Sequence, residues 1–147
     1  MRRKSMFWNK SSEMPTAAWI TLLIRISVGP MFLVYGLGKL ARYTDTLDFI
    51  SAGFIESWLP HWLVLTAAGM IPILETLIGL SLTLGLKYRW GLLALGALMA
   101  LLIFGLAVQG NHEVVARNLM FLLVTIFGLR ASGENPFSLD KYLKLDK

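Results

Sequence analysis

Two residues of opposite charge stand inside otherwise apolar runs. Arg25 is flanked by WITLLI and ISVGPMFLV, and Glu75 by GMIPIL and TLIGLSLTL. An ionised side chain near mid-membrane costs roughly 2.5–3.5 kcal/mol on insertion scales, so each of these groups requires a partner. Counted at about 1.5 Å per helical residue, Arg25 lies roughly 13 Å and Glu75 roughly 16 Å from the same end of their spans. Those depths agree within a side-chain length, and a buried Arg25–Glu75 ion pair is the expectation. Such a pair acts either as a structural clamp or as a ligand or proton site, and both readings stay open.

A second polar group belongs near the opposite boundary. Tyr35 and Lys39 end the first span, Gln109 ends the third, and Arg117 and Asn118 begin the fourth. Together they are candidate ligand-binding residues lining a pocket open to the outer leaflet. The competing reading is structural: Lys39 and Arg117 snorkel to headgroups, and Gln109 and Asn118 bond across helices. His61 and His112 both fall at outer span ends, but no carboxylate partner follows at a recognisable spacing, so no metal or haem site is expected. The chain has no cysteine, which excludes disulfides, thiolate metal sites and a thiol relay of its own. It carries no phosphate-binding glycine loop, dinucleotide fingerprint, zinc motif or serine-nucleophile spacing. Autonomous catalysis is not supported.

The elements that must position these residues follow from the composition. Of 147 residues, 56% are hydrophobic and only 16% charged, against about half and a quarter in a soluble domain. The apolar residues gather into runs near the length of about 20 that crosses a bilayer as helix. The expected fold is an all-α membrane protein, a four-transmembrane-helix antiparallel bundle in a single domain. It comprises a tail 1–15, spans 16–40, 62–86, 90–109 and 113–130, an outer segment 41–61 and a tail 131–147. Within 41–61, Leu47, Ile50, Phe54 and Trp58 recur at helical spacing and predict a short interfacial helix between the first two spans. With the N-terminus in the cytoplasm, Arg2, Arg3, Lys4, Lys10, Lys87, Arg89, Arg130, Lys141, Lys144 and Lys147 fall on that side, whereas Lys39, Arg42 and Arg117 fall on the other. The asymmetry predicts a multi-pass protein of a bacterial cytoplasmic membrane with both termini inside.

Helices in lipid gain little from hiding apolar surface, so small residues must let backbones approach. Gly29 and Gly36 supply them on the first span, and Ala68, Pro72, Thr76, Gly79 and Thr83 form a stripe on the second. Arg25, Gly29, Phe32, Gly36 and Lys39 share one helical face, which is expected to point inward.

The segments RISVGPMFLVYGLGKL from Arg25, PILETLIGLSLTLGLKYR from Pro72, GNHEVVARNLMFLLVTIFG from Gly110 and FSLD at 137–140 together resemble the DoxX family of small four-helix membrane proteins. The resemblance spans nearly the whole chain. It implies a membrane subunit of a quinone-linked redox complex, often labelled a putative oxidoreductase, with Arg25, Lys39, Glu75 and Asn118 at recurring polar positions. No covalent redox centre is expected in the chain itself, so electron transfer would borrow a cofactor, with a membrane quinone the natural candidate. Three functions remain open: a redox-complex subunit that positions quinone or anchors a partner, a non-enzymatic scaffold or lipophile-binding module, and a small transporter. The expected partners are the lipid bilayer, redox-enzyme subunits or further copies of the chain; nucleic acid is not among them.

Overall fold

Short connections dictate the topology. Only residues 85–87 separate the second and third long helices, and residues 109–111 separate the third and fourth, so each pair must fold back antiparallel. In a computed structural model, which describes residues 15–133, the chain forms α1 (Thr16–Ala41), α2 (Tyr43–Ala52), α3 (His61–Leu84), α4 (Tyr88–Val108) and α5 (His112–Ala131). All but α2 are long and apolar enough to cross a membrane. The described residues thus form a helical membrane bundle with a short helix between its first two spans. Residues 1–14 and 134–147, which make up most of the expected tails and include 137–140, lie outside the described residues.

Local chemistry ends each helix where a reversal is needed. Gly85 adopts a left-handed φ of 70°, and the Gly85 and Leu86 amides donate to the Leu82 and Ser81 carbonyls, closing α3 with a glycine-terminated cap. Asn111 caps α5, its side chain accepting from the Val114 amide at 3.3 Å. The segment 41–61 is only partly helical. α2 stops at Ala52, where Gly53 follows, and turns fill the rest of the stretch to Leu59.

α1 packs along α3 and α5, and α4 packs along the same two helices, which places α1 and α4 on the diagonal. Ile24, Val28 and Phe32 of α1 meet Ile71, Ile78 and Leu82 of α3 and Leu92, Leu95, Leu98 and Met99 of α4 in one core. Phe32 and Phe121 add an edge-to-face contact, with ring centroids 5.6 Å apart, between α1 and α5.

The α1–α3 seam is the closest approach in the bundle. An added Cβ on Gly29 would lie 2.8 Å from the Thr83 backbone nitrogen, and one on Gly36 would lie 2.5 Å from that of Thr76. One on Gly79 would lie 2.7 Å from the Leu33 Cα. The two threonine hydroxyls turn back onto their own helix, Thr76 donating to the Pro72 carbonyl at 2.8 Å and Thr83 to that of Gly79 at 2.7 Å. With their donors satisfied, they behave at the seam as small, largely apolar surfaces. α2 lies across the start of α3, where the Tyr43 hydroxyl covers Gly69.

Candidate functional site

The inward face of α1 carries a cation at each end. At the α2 end, Lys39 donates through Nζ to both oxygens of Glu75, at 2.6 and 2.7 Å. The Glu75 side chain is 5% exposed and that of Lys39 is 37% exposed. Taking two charges out of water is costly, and contact geometry this close is what allows their attraction to offset it. The pair is therefore asymmetric: a buried carboxylate is held by an ammonium whose stem reaches toward the surface. Thr46 of α2 donates to the Lys39 backbone carbonyl at 3.2 Å, which ties the short helix to the same turn.

At the other end, Arg25 donates to the Thr83 and Leu84 carbonyls at 3.3 and 3.2 Å. These are orphan acceptors at the C-terminus of α3, where the helix dipole favours a cation. Arg25→Met removes both bonds and is expected to lower the stability of the solubilised protein by about 1–2 kcal/mol, as charge-assisted hydrogen bonds of this kind contribute. Thermal unfolding in detergent measures the change; an unaltered transition would mean these bonds hold nothing.

The expected Arg25–Glu75 pair is thus corrected. Glu75 meets Lys39, and Arg25 reaches the end of α3, roughly 13 Å further along that helix from Glu75 at 1.5 Å per residue. The reason is register. Depths counted from the ends of two spans agree only if those ends lie level, and here Gly29 already faces Thr83, leaving the first three turns of α1 beyond the end of α3. The sequence held a better guide. Gly29 and Gly36 are separated by the same interval as Thr76 and Thr83, and an antiparallel register that seats one pair on the other brings Lys39 to Glu75.

The second polar group does not gather into a pocket. Tyr35 and Arg117 are exposed, Gln109 packs beside Gly53, and Asn118 donates to the Val114 carbonyl of its own helix at 3.1 Å. Only Lys39 of that group enters a polar contact with a facing helix, and its partner is Glu75. His61 and His112 are exposed, and no cluster of three or more histidine, aspartate or glutamate side chains suited to a metal occurs among the described residues.

Four apolar helices around a cross-linked pair of opposite charges define a small multi-pass membrane protein whose buried charges join α1 to α3. The chain belongs to the MauE family: the family described as methylamine utilisation protein MauE matches residues 17–112. That match runs from α1 to the first residue of α5 and takes in the whole α1–α3 seam with Arg25, Lys39 and Glu75. It overturns the likeness to DoxX, which is a different family. The residues behind that likeness, glycines, threonines and single charges at helical spacing, are those that any small bundle with closely packed backbones requires. No curated protein and no solved structure matches the chain.

Proposed function

We propose that this protein is a membrane-embedded scaffold subunit in methylamine utilisation, holding other proteins of that process at the bilayer without chemistry of its own. One observation carries the reading: Glu75, the buried carboxylate of the bundle, has both oxygens closed by Lys39. A group committed in this way joins α1 to α3. The remaining candidate polar residues stand apart from one another, which disfavours a convergent ligand pocket.

The proposed orientation places both termini in the cytoplasm of a bacterium and α2 outside. Among the described residues, Lys87, Arg89 and Arg130 lie at the α3–α4 turn end against Arg42 and Arg117 toward the α2 end, and the sequence adds Arg2, Arg3, Lys4, Lys10, Lys141, Lys144 and Lys147 before α1 and after α5. This supports the turn end as the positive, cytoplasmic side.

The test is purification of the tagged protein in mild detergent from cells growing on methylamine. The expected result is co-purification of other methylamine-utilisation proteins in fixed proportion, with quinone no higher than in the surrounding lipid. Quinone retained mole for mole would favour a redox subunit, and recovery of the chain with no partner would contradict the scaffold reading.

A further inference from the structure

Phe49, Ile55 and Trp58 are 83%, 81% and 74% exposed, the highest values for large apolar side chains among the described residues. All three fall in the segment between α1 and α3. That segment is seated on three helices. Thr46 donates to the Lys39 carbonyl of α1, Tyr43 and Leu47 lie over Gly69 of α3, and the Phe54 ring lies over Gly105 of α4. Successive turns fix the stretch that follows α2: the Gly53, Phe54 and Ile55 amides donate to the Ile50, Ser51 and Ala52 carbonyls, and the Ser57 amide to that of Phe54. The exposed side chains therefore project from a fixed platform.

Its charge is of a particular kind. Residues 43–60 hold Asp45, Asp48 and Glu56 and no lysine or arginine, in a chain whose net charge is +5. Arg42 stands just before them, as the N-cap residue of α2. Asp45 has a local reason for its place, because it lies in the first turn of α2, where the helix dipole favours an anion. Asp48 and Glu56 have no such reason: both are exposed, and neither forms an ion pair among the described residues. On α2 the packed residues Tyr43, Thr46 and Leu47 leave Asp48 and Phe49 on the open side, so acid and aromatic ring stand together.

Lipid, a second copy or another protein could cover such a surface, and the acids discriminate among them. Interfacial helices that bind anionic lipid set lysine and arginine beside their apolar residues, whereas this segment sets acids there. Two copies meeting face to face about a two-fold axis would oppose acid to acid. A basic protein surface with recesses for aromatic side chains answers both features, since aromatic residues are enriched where proteins meet.

We propose that α2 and the turns as far as Trp58 form the docking face for a protein partner with a basic surface, with Phe49 and Trp58 as its anchors and Asp48 and Glu56 as the charges that select it. This rests on the scaffold reading and names the face such a scaffold would use. In the proposed orientation that face lies outside the cytoplasm.

The test puts the photo-crosslinking residue benzoylphenylalanine in place of Phe49 or Trp58, and in place of the exposed Leu101 of α4 as a control, in the full chain within cells growing on methylamine. Mass spectrometry identifies the adducts after irradiation. Residues 49 and 58 are expected to give one adduct, with a methylamine-utilisation protein of basic surface, that residue 101 does not give. Asp48→Lys/Glu56→Lys should lower its yield about ten-fold, because like charges then oppose each other across the contact. Trp58→Ala, with the crosslinker at residue 49, should lower it by at least as much, as loss of an aromatic anchor does. Both comparisons are made at wild-type membrane level and with thermal unfolding unchanged.

Adducts with lipid alone, adducts with a second copy, or a yield indifferent to both variants would overturn the proposal. Co-purification separates that failure from failure of the scaffold reading. If methylamine-utilisation proteins still co-purify with the wild type, the scaffold docks them elsewhere; if none does, the scaffold reading falls and this proposal with it.

Discussion

Gly79→Ala is expected to destabilise the bundle by about 3 kcal/mol, the upper range for overpacked interiors, whereas Gly38→Ala leaves it unchanged or slightly more stable. The added methyl at residue 79 would lie 2.7 Å from the Leu33 Cα and 2.8 Å from the Phe32 carbonyl carbon. Both are backbone atoms of α1, and no rotamer change moves them aside. Relief requires separating the two helices, and that separation opens the Gly29–Thr83 and Gly36–Thr76 contacts as well. In lipid, no hydrophobic driving force closes the gap again. At Gly38, by contrast, an added Cβ meets nothing within 4 Å, and alanine is the better helix former by about 1 kcal/mol. Thermal unfolding of the pair in the same detergent measures the contrast. Equal transitions would mean that α1 and α3 do not approach as closely as described.

The ion pair makes the second large prediction, which is an asymmetry. Lys39→Met leaves the Glu75 carboxylate, 5% exposed, without its counter-charge, and should cost about 3 kcal/mol, as stranding one member of a buried pair does. Glu75→Met strands the lysine instead. That side chain is 37% exposed, can extend toward the headgroups, and should lose only about 1 kcal/mol, in the range of a partly exposed pair. The double variant Lys39→Met/Glu75→Met should recover most of the larger loss, because apolar side chains of similar volume replace buried pairs at little cost. Adding Arg25→Met to Glu75→Met should rescue nothing, since Arg25 engages the carbonyls at the end of α3. A rescue there would restore the pairing that counting depth along each span suggests.

That contrast also shows how far the sequence reaches. The four spans are legible because the apolar runs and the tight reversals at Gly85 and Gly110 leave few alternatives. The inward face of α1 follows from helical period alone, with Gly29, Phe32 and Gly36 all buried. What period does not encode is the sliding register of one helix against another. A shift of a few turns along the seam changes which cation meets Glu75 while leaving every helix and every face the same. The register resides in the matched intervals of two glycines and two threonines, a feature visible in the sequence only once the two helices are known to touch there. The scattered fate of Tyr35, Gln109, Arg117 and Asn118 has a similar origin. Residues at one depth in a bundle share a pocket only if their faces converge, and Asn118 satisfies its amide within its own helix instead.

The family match alters the functional frame without altering the physics of the seam. The charged pair and the glycine contacts all lie within the matched residues, so the matched segment carries what holds α1 to α3. A scaffold needs that rigidity, and the proposed role requires nothing more of Lys39 and Glu75 than that they neutralise one another.

The most direct measurement is therefore growth on methylamine of cells whose sole copy of this protein is the Lys39→Met/Glu75→Met variant, at a membrane level matched to the wild type. The account predicts growth like that of the wild type, because two methionines can fill the space of a structural ion pair. A variant that is folded and present at full level yet fails to support growth would show that the pair performs chemistry, and the scaffold account would be contradicted.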